Sequence, residues 1–171
     1  MYHEMTIAGL KRQLPLCKVN DDLYIAAFIM FSDVEITRAA ATELLKKAPE
    51  FDIMITAESK GIPLIYEMAR QAGVNDYVVA RKGPKLYMTD IITTQVDSIT
   101  TDHIQTLCIG GKEAQQMRGK RVLIVDDVIS TGAVSYTHLD VYKRQGVHGL
   151  YRELQDLYQI PEIQKADGKP G

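Results

Sequence analysis

The strongest feature in the pattern of apolar and polar positions is the run Val122-Leu123-Ile124-Val125, which ends abruptly at two carboxylates, Asp126 and Asp127. A short unbroken apolar run with β-branched residues predicts a strand buried on both faces, as in a parallel sheet. Upstream, Leu14 to Phe31 predicts a β-hairpin that turns at Asn20-Asp21-Asp22, with Leu23 to Phe31 as a nearly all-apolar second strand. Ser32-Asp33-Val34-Glu35 has the Ser-x-x-Glu form of a capping box. The helix it predicts runs to about Ala48, with Ala40, Ala41, Leu44, Leu45 and Ala48 inward, and Pro49 stops it.

Phe51 to Thr56 is a further predicted strand, ending in Ala57-Glu58-Ser59-Lys60-Gly61. Pro63 suits the first turn of a helix that continues through Leu64, Ile65, Met68 and Ala69 to Gly73. Tyr77 to Ala80 then predicts a strand that ends in the basic turn Arg81-Lys82-Gly83-Pro84-Lys85. Strand, helix and strand, with polar groups at each strand's end, form the pattern of an α/β protein with a parallel sheet. Leu86 to Met88 predicts a short strand, and Thr89 to Thr101 a loop of the length usually tied to function. Ile104 to Ile109 reads as the return strand, Gly110-Gly111 as a turn, and Glu113 to Met117 as one helical turn.

Composition narrows the class. A chain of 171 residues with 46% hydrophobic and 25% charged residues fits one ordinary globular domain. A formal net charge of -2 argues against a general nucleic-acid binder, while leaving room for a local basic patch at a polyphosphate site. Cys17 and Cys108 sit in apolar company and are expected to be small buried hydrophobes rather than a disulfide or metal pair. No stretch approaches the ~20 apolar residues of a membrane span, and no signal peptide opens the chain, so the default setting is cytoplasmic.

The candidate chemistry lies at the strand ends. In open α/β sheets ligands bind outside the carboxyl ends of the strands. Asp126 and Asp127 can hold sugar hydroxyls or a magnesium ion. Ser130-Thr131-Gly132 can offer hydroxyls and backbone N–H groups to a phosphate. A ligand with ribose and phosphate close together would use both. Taken alone, the acids are also consistent with a strand cap, Glu58 to Gly61 with a helix entry, and Arg81 to Lys85 with a solvated turn. Receiver domains also end a strand in paired acids, but near the chain start, whereas about 120 residues precede the pair here.

The segment from Val122 to Gly132 closely resembles the phosphoribosyl-pyrophosphate (PRPP) binding motif of type I phosphoribosyltransferases. Two further loops carry the resemblance. Glu58-Ser59-Lys60-Gly61 is similar to the Glu-x-Arg-Gly loop of the adenine-type branch, with Lys60 where many relatives have Arg. Arg81-Lys82-Gly83-Pro84-Lys85 is similar to the family's Arg-Lys-x-Gly-Lys segment, with a small change of order. The resemblance covers about residues 10 to 132. It implies a parallel sheet flanked by helices, with a small N-terminal hood.

It also implies transfer of the phosphoribosyl group of PRPP to a purine, adenine first. Asp126, Asp127, Ser130, Thr131, Gly132, Arg81, Lys82 and Lys85 would bind PRPP. Glu58, Ser59, Lys60 and Gly61 would form the pyrophosphate loop, and Phe31 would stack on the base. Mg²⁺ would lie at Asp126 and Asp127, directly or through water. The Thr89 to Thr101 loop would be the lid, with no catalytic residue assigned in it. The intact family would be homodimeric, with no nucleic-acid or membrane partner. The alternatives are a PRPP-binding regulator of the same fold, for which no helix-turn-helix is evident, and an inactive truncated fusion.

The last alternative comes from the C-terminus. Tyr136 to Gln145 resembles a translated adaptor segment, so the family sequence is expected to end near Gly132 or Ala133. That division gives a truncated domain over 1–132 and a non-family tail over 133–171, with one helix at 149–159. A sheet cut short in this way is expected to expose an edge, lower turnover and favour aggregation.

Overall fold

The computed structural model describes residues 1–18, 20, 23–96, 105–128 and 163–164. The predicted tail helix at 149–159 lies outside these residues. Three strands form the parallel sheet, in the order β5 (Val78–Ala80), β4 (Ile53–Ala57), β8 (Val122–Ile124). Ile53 pairs with Val122 and Ile55 with Ile124, while Ile55 and Ala57 pair with Val78 and Ala80 on the other side. The predicted burial on both faces holds. Leu123 and Val125 join one apolar cluster with helices α1 (Val34–Lys47) and α2 (Gly61–Ala72). Val122 and Ile124 join a second cluster with Ala114 and Met117 of α3 (Gly111–Met117). Period-two alternation therefore sends successive side chains into two cores, and all three helices find a sheet to cover.

The helices end where local chemistry stops them. Gly73 closes α2 in the left-handed region, at φ 69°, and its N–H bonds back to the helix's last carbonyls. Pro49 follows the extended C-cap Ala48 of α1. The start of α1 differs from the expected capping box. Asp33, not Ser32, is the N-cap and accepts from the Ile36 amide at 3.0 Å, while the Glu35 carboxylate goes to Arg12 at 2.8 Å. A long-range arginine contact has displaced the local Ser-Glu pairing.

The N-terminal hood holds more strand than expected at its start and less at its end. β1 (Tyr2–Ile7) and β2 (Leu10–Lys18) form a hairpin across Ala8-Gly9, both at positive φ, as a tight two-residue hairpin turn requires. β2 then pairs antiparallel with β3, which is only Leu23–Ala26. Phe28 to Phe31 leave the sheet: Phe28 and Met30 are buried, while Ile29 and Phe31 are exposed. Within the tail, β9 (Ile163–Gln164) pairs antiparallel with β3 and contributes a short piece of sheet where only a helix was expected.

Leu86 to Met88 is a turn rather than a strand, with the Met88 amide on the Lys85 carbonyl at 3.0 Å and Leu86 fully exposed. The expected loop from Thr89 contains β6 (Ile92–Val96), antiparallel to β7 (Gln105–Ile109), with residues 97–104 between them outside the described part. Cys17 is exposed although it pairs with Ile25 of β3, and only Cys108 is buried.

Candidate functional site

The carboxyl ends of β4, β5 and β8 lie side by side because their strands are parallel neighbours. The loop after β4 reaches both flanks. Toward β8, the Ser59 hydroxyl donates to Asp126 Oδ1 at 3.2 Å, and Lys60 Nζ stands 3.8 Å from Asp127 Oδ2. Toward β5, Glu58 Oε2 accepts from the Lys82 amide at 2.9 Å. Arg81 Nη2 lies 3.1 Å from Glu58 Oε1, and Lys85 Nζ 3.9 Å from Oε2. One four-residue loop thus joins the acid pair to the basic turn.

Glu58 organises the basic turn. Its carboxyl is held below its ordinary value, mainly by the Lys82 N–H, with Arg81 and Lys85 adding to the effect against the opposing influence of burial. The Arg81 main chain is fixed as well, by paired 2.8 Å hydrogen bonds with Cys108 of β7. Lys82 keeps an exposed side chain. The turn therefore presents cations from a backbone anchored on two sides.

Gly61 is at the N-terminus of α2 for a steric reason. A Cβ there would lie 2.6 Å from Thr56 Oγ1, 3.0 Å from Asp126 Oδ1 and 3.2 Å from Asp126 Cα. The absent side chain lets α2 start against the acid pair. Its amide donates to Ser59 Oγ at 3.2 Å, which orients the hydroxyl that bonds Asp126.

The acid pair is poorly solvated. Burial, then the neighbouring Asp127, pushes the Asp126 carboxyl up to about 7. Three buried polar atoms at these strand ends have no hydrogen-bond partner among the described residues: Thr56 Oγ1, Arg81 Nε and Asp127 Oδ2. Buried polar atoms are rarely left unpaired. One lies on each of three adjacent strands at this end of the sheet.

A model of the phosphoribosyl transferase domain matches residues 32–134. The chain belongs to that family. A Methanotorris igneus relative named hypoxanthine/guanine phosphoribosyltransferase is 31% identical over 137 residues, covering 79% of this chain and 67% of the relative. A Bifidobacterium longum relative named adenine phosphoribosyltransferase is 32% identical over 148 residues, covering 80% of this chain and 69% of the relative. The chain thus spans about two thirds of the length of these curated relatives, which are purine phosphoribosyltransferases by name. The fold is shared with the adenine phosphoribosyltransferase of Thermoanaerobacter pseudethanolicus, at TM-score 0.62 and 20% identity over 80% of this chain and 78% of that one. It is shared too with the Trypanosoma brucei enzyme, solved with AMP, pyrophosphate and ribose-5-phosphate, at TM-score 0.54 and 18% identity over 71% of this chain and 54% of that one.

The phosphate loop expected at Ser130, Thr131 and Gly132 lies outside the described residues. Asp126, Asp127, Glu58, Ser59, Lys60, Gly61, Arg81 and Lys85 are joined by the contacts above, with Lys82 held through its amide. Phe31 is on the hood, 51% exposed, and is not joined to the strand-end cluster by the contacts above. Two residues escaped sequence reading. Thr56 sits inside a strand where alternation alone marks it as core. Arg12 looks like one exposed position of a hairpin, and only its partner Asp33, far along the chain, gives it a task.

Magnesium can be tested against the donor set. Among the described residues no group of three or more His, Cys, Asp or Glu side chains could enclose a metal. The acid pair nevertheless fits a hard cation bound jointly with a substrate, because magnesium is commonly held by one or two carboxylates plus phosphate oxygens and water. Asp127 Oδ2, buried without a hydrogen-bond partner among the described residues and 3.8 Å from the Lys60 ammonium, is an oxygen suited to that task.

Proposed function

We propose that this chain transfers the phosphoribosyl group of PRPP to a purine, giving a nucleoside 5′-monophosphate and pyrophosphate. The observation that carries the reading is the bridge made by residues 58–61, which binds an acid pair and a basic turn into one strand-end site. PRPP needs such a juxtaposition: neutral hydroxyls on the ribose and a highly charged pyrophosphate at C1.

In this reading Asp126 and Asp127 accept hydrogen bonds from the ribose hydroxyls. Arg81, Lys82 and Lys85, with the backbone of Glu58 to Gly61, face the pyrophosphate. Lys60 contributes charge without the two-pronged geometry of an arginine. Ser130, Thr131 and Gly132 cradle the 5′-phosphate, and Phe31 gives the base an apolar face. Bound Mg²⁺, held by Asp126 and Asp127 directly or through water, would neutralise charge on the departing pyrophosphate.

The base nitrogen forms the bond to C1 as the C1–O bond to pyrophosphate breaks, through an oxocarbenium-like state of the glycosidic kind. The electron pair leaves with pyrophosphate, and the base nitrogen afterwards gives up its proton. Placement and fixed charge supply most of the acceleration, and closure of the Thr89 to Thr101 segment keeps water from C1. We assign the family domain to residues 1–132; the family match, over residues 32–134, supports the part from residue 32 onward.

Adenine is the base we assign first, supported by the 32% identical Bifidobacterium longum relative. A 6-oxopurine is the second reading, favoured by the 31% identical Methanotorris igneus relative. Pyrophosphate release from PRPP and Mg²⁺ with adenine, hypoxanthine and guanine in turn tests both. Turnover with one base assigns it. PRPP binding without turnover supports a regulator instead, and absence of binding removes the proposal.

A further inference from the structure

The segment between β3 and α1 is held in a shape its own sequence does not favour. The Asp33 amide bonds the Met30 carbonyl at 3.2 Å, which closes a turn with Phe31 and Ser32 at its centre. Ser32 sits at φ 69°, a left-handed value that glycine adopts more readily than serine. Such strain persists only where the surroundings over-determine the backbone. On one side the anchor is apolar: Phe28 and Met30 lie in the same cluster as Leu123 and Val125, the strand that leads to the acid pair. On the other side it is Arg12 of β2. Its Nε donates to Asp33 Oδ2 at 2.6 Å and its Nη2 to Asp33 Oδ1 at 3.1 Å, with Nη2 also reaching Glu35 Oε2 at 2.8 Å.

Asp33 is satisfied three ways, since it also caps α1 through the Ile36 amide. The fork uses both carboxylate oxygens at once, a geometry that fixes orientation as well as distance. The Arg12 side chain is only 25% exposed, so the pair is partly shielded from solvent, unlike the Lys11–Glu4 pair of the same hairpin, at 74% and 55%. Between these anchors Phe31 points outward. An exposed ring on a strained turn, fixed from both sides, is a shelf made in advance of its ligand.

We infer that Arg12 is a positioning residue for the purine: by gripping Asp33 across the hood it holds the Phe31–Ser32 turn, and with it the ring on which the base stacks. The inference rests on the proposed assignment of Phe31 to the base site, and adds to it the residue that fixes that ring. Arg12 touches no reacting atom. Its effect reaches the base through backbone geometry, so it should act on base affinity and leave PRPP affinity alone.

The test uses the full chain with Arg12→Ala, the milder Arg12→Gln, and Lys11→Ala as a control that removes a neighbouring exposed pair. Purine and PRPP affinities are measured separately by titration calorimetry and, where turnover exists, as KM values. Amide hydrogen exchange is followed over residues 29–37. The expected result is a loss of purine affinity of about tenfold for both Arg12 variants, PRPP affinity within about twofold, faster exchange over 29–37, and no change for Lys11→Ala. Phe31→Ala combined with Arg12→Ala should lose little beyond Phe31→Ala alone, because both remove one shelf. Equal losses for purine and PRPP, unchanged exchange over 29–37, or additive effects of the two variants overturn the inference. A parent chain that binds PRPP but no purine overturns the base-site assignment and this inference together. Purine binding that Arg12→Ala leaves intact overturns only the inference.

Discussion

Adding one methyl group at Gly61 tests the geometry of the strand-end site directly. The backbone there is not in the left-handed region, so Gly61→Ala perturbs packing rather than φ. The new Cβ would lie 2.6 Å from Thr56 Oγ1 and 3.2 Å from Asp126 Cα. Neither neighbour yields easily. Thr56 is 1% exposed in the middle strand of the sheet, and Asp126 Cα is backbone. Overpacking of this kind costs about 1–3 kcal/mol, against a helix-propensity gain of at most about 1 kcal/mol for alanine over glycine. The balance is a loss of about 1–2 kcal/mol, or roughly 2–8 °C in Tm for a chain of this size. Relief requires α2 to move off the acid pair, which pulls Ser59 and Lys60 from their carboxylates. PRPP affinity should therefore fall further than stability, by about tenfold or more. Thermal melts and PRPP titrations of the parent, Gly61→Ala, and Gly61→Ala with Thr56→Ala separate the contacts. Removing the threonine oxygen should recover Tm, while the Asp126 contact remains and PRPP binding stays weak. A Gly61→Ala protein with parental Tm and PRPP affinity would refute the close approach of α2 to the acids.

Three further outcomes are expected. Thr56→Val replaces a buried hydroxyl that has no partner among the described residues by a methyl of similar size, so urea melts should show stability unchanged or raised by up to about 1 kcal/mol; a loss above about 2 kcal/mol would mean that the hydroxyl has a partner. Lys60→Arg supplies a fork where an ammonium stands 3.8 Å from Asp127, and should tighten PRPP binding severalfold in titrations; weaker binding would show that Lys60 faces away from the pyrophosphate. Glu67, bonded by Arg70 at 2.7 Å and Gln71 at 2.9 Å, has its carboxyl lowered from 4.5 to about 2, with the Arg70 hydrogen bonds the largest cause. The unfolded chain therefore binds that proton more readily. Its stabilisation is complete above pH 4.5 and is lost as pH falls toward 2. Glu67→Gln should cost about 1 kcal/mol near pH 6, after allowance for the exposed Arg70, and much less near pH 3; equal costs at both pH values in denaturant melts would contradict the pairing.

Local pattern determined a large part of this protein. The apolar run before Asp126, the break at Pro49 and the stop at Gly73 are encoded in neighbouring residues, because burial period and backbone restriction act over one or two turns of chain. The motifs at residues 58–61, 81–85 and 126–127 were legible for the same reason: each is one loop following one strand. β6 was missed although Ile92 and Thr94 alternate inward, because its threonine-rich surroundings read equally well as loop. The cap of α1 was misplaced by one residue because Arg12, distant in sequence, competes for the same carboxylates. The tertiary structure alone decided the rest. Parallel pairing in the order β5, β4, β8 sets three strand ends abreast, so Ser59 meets Asp126 and Glu58 meets Lys82. Contacts between residues tens of positions apart depend on strand order, register and the missing side chain at Gly61, and no periodicity within a single segment carries that information.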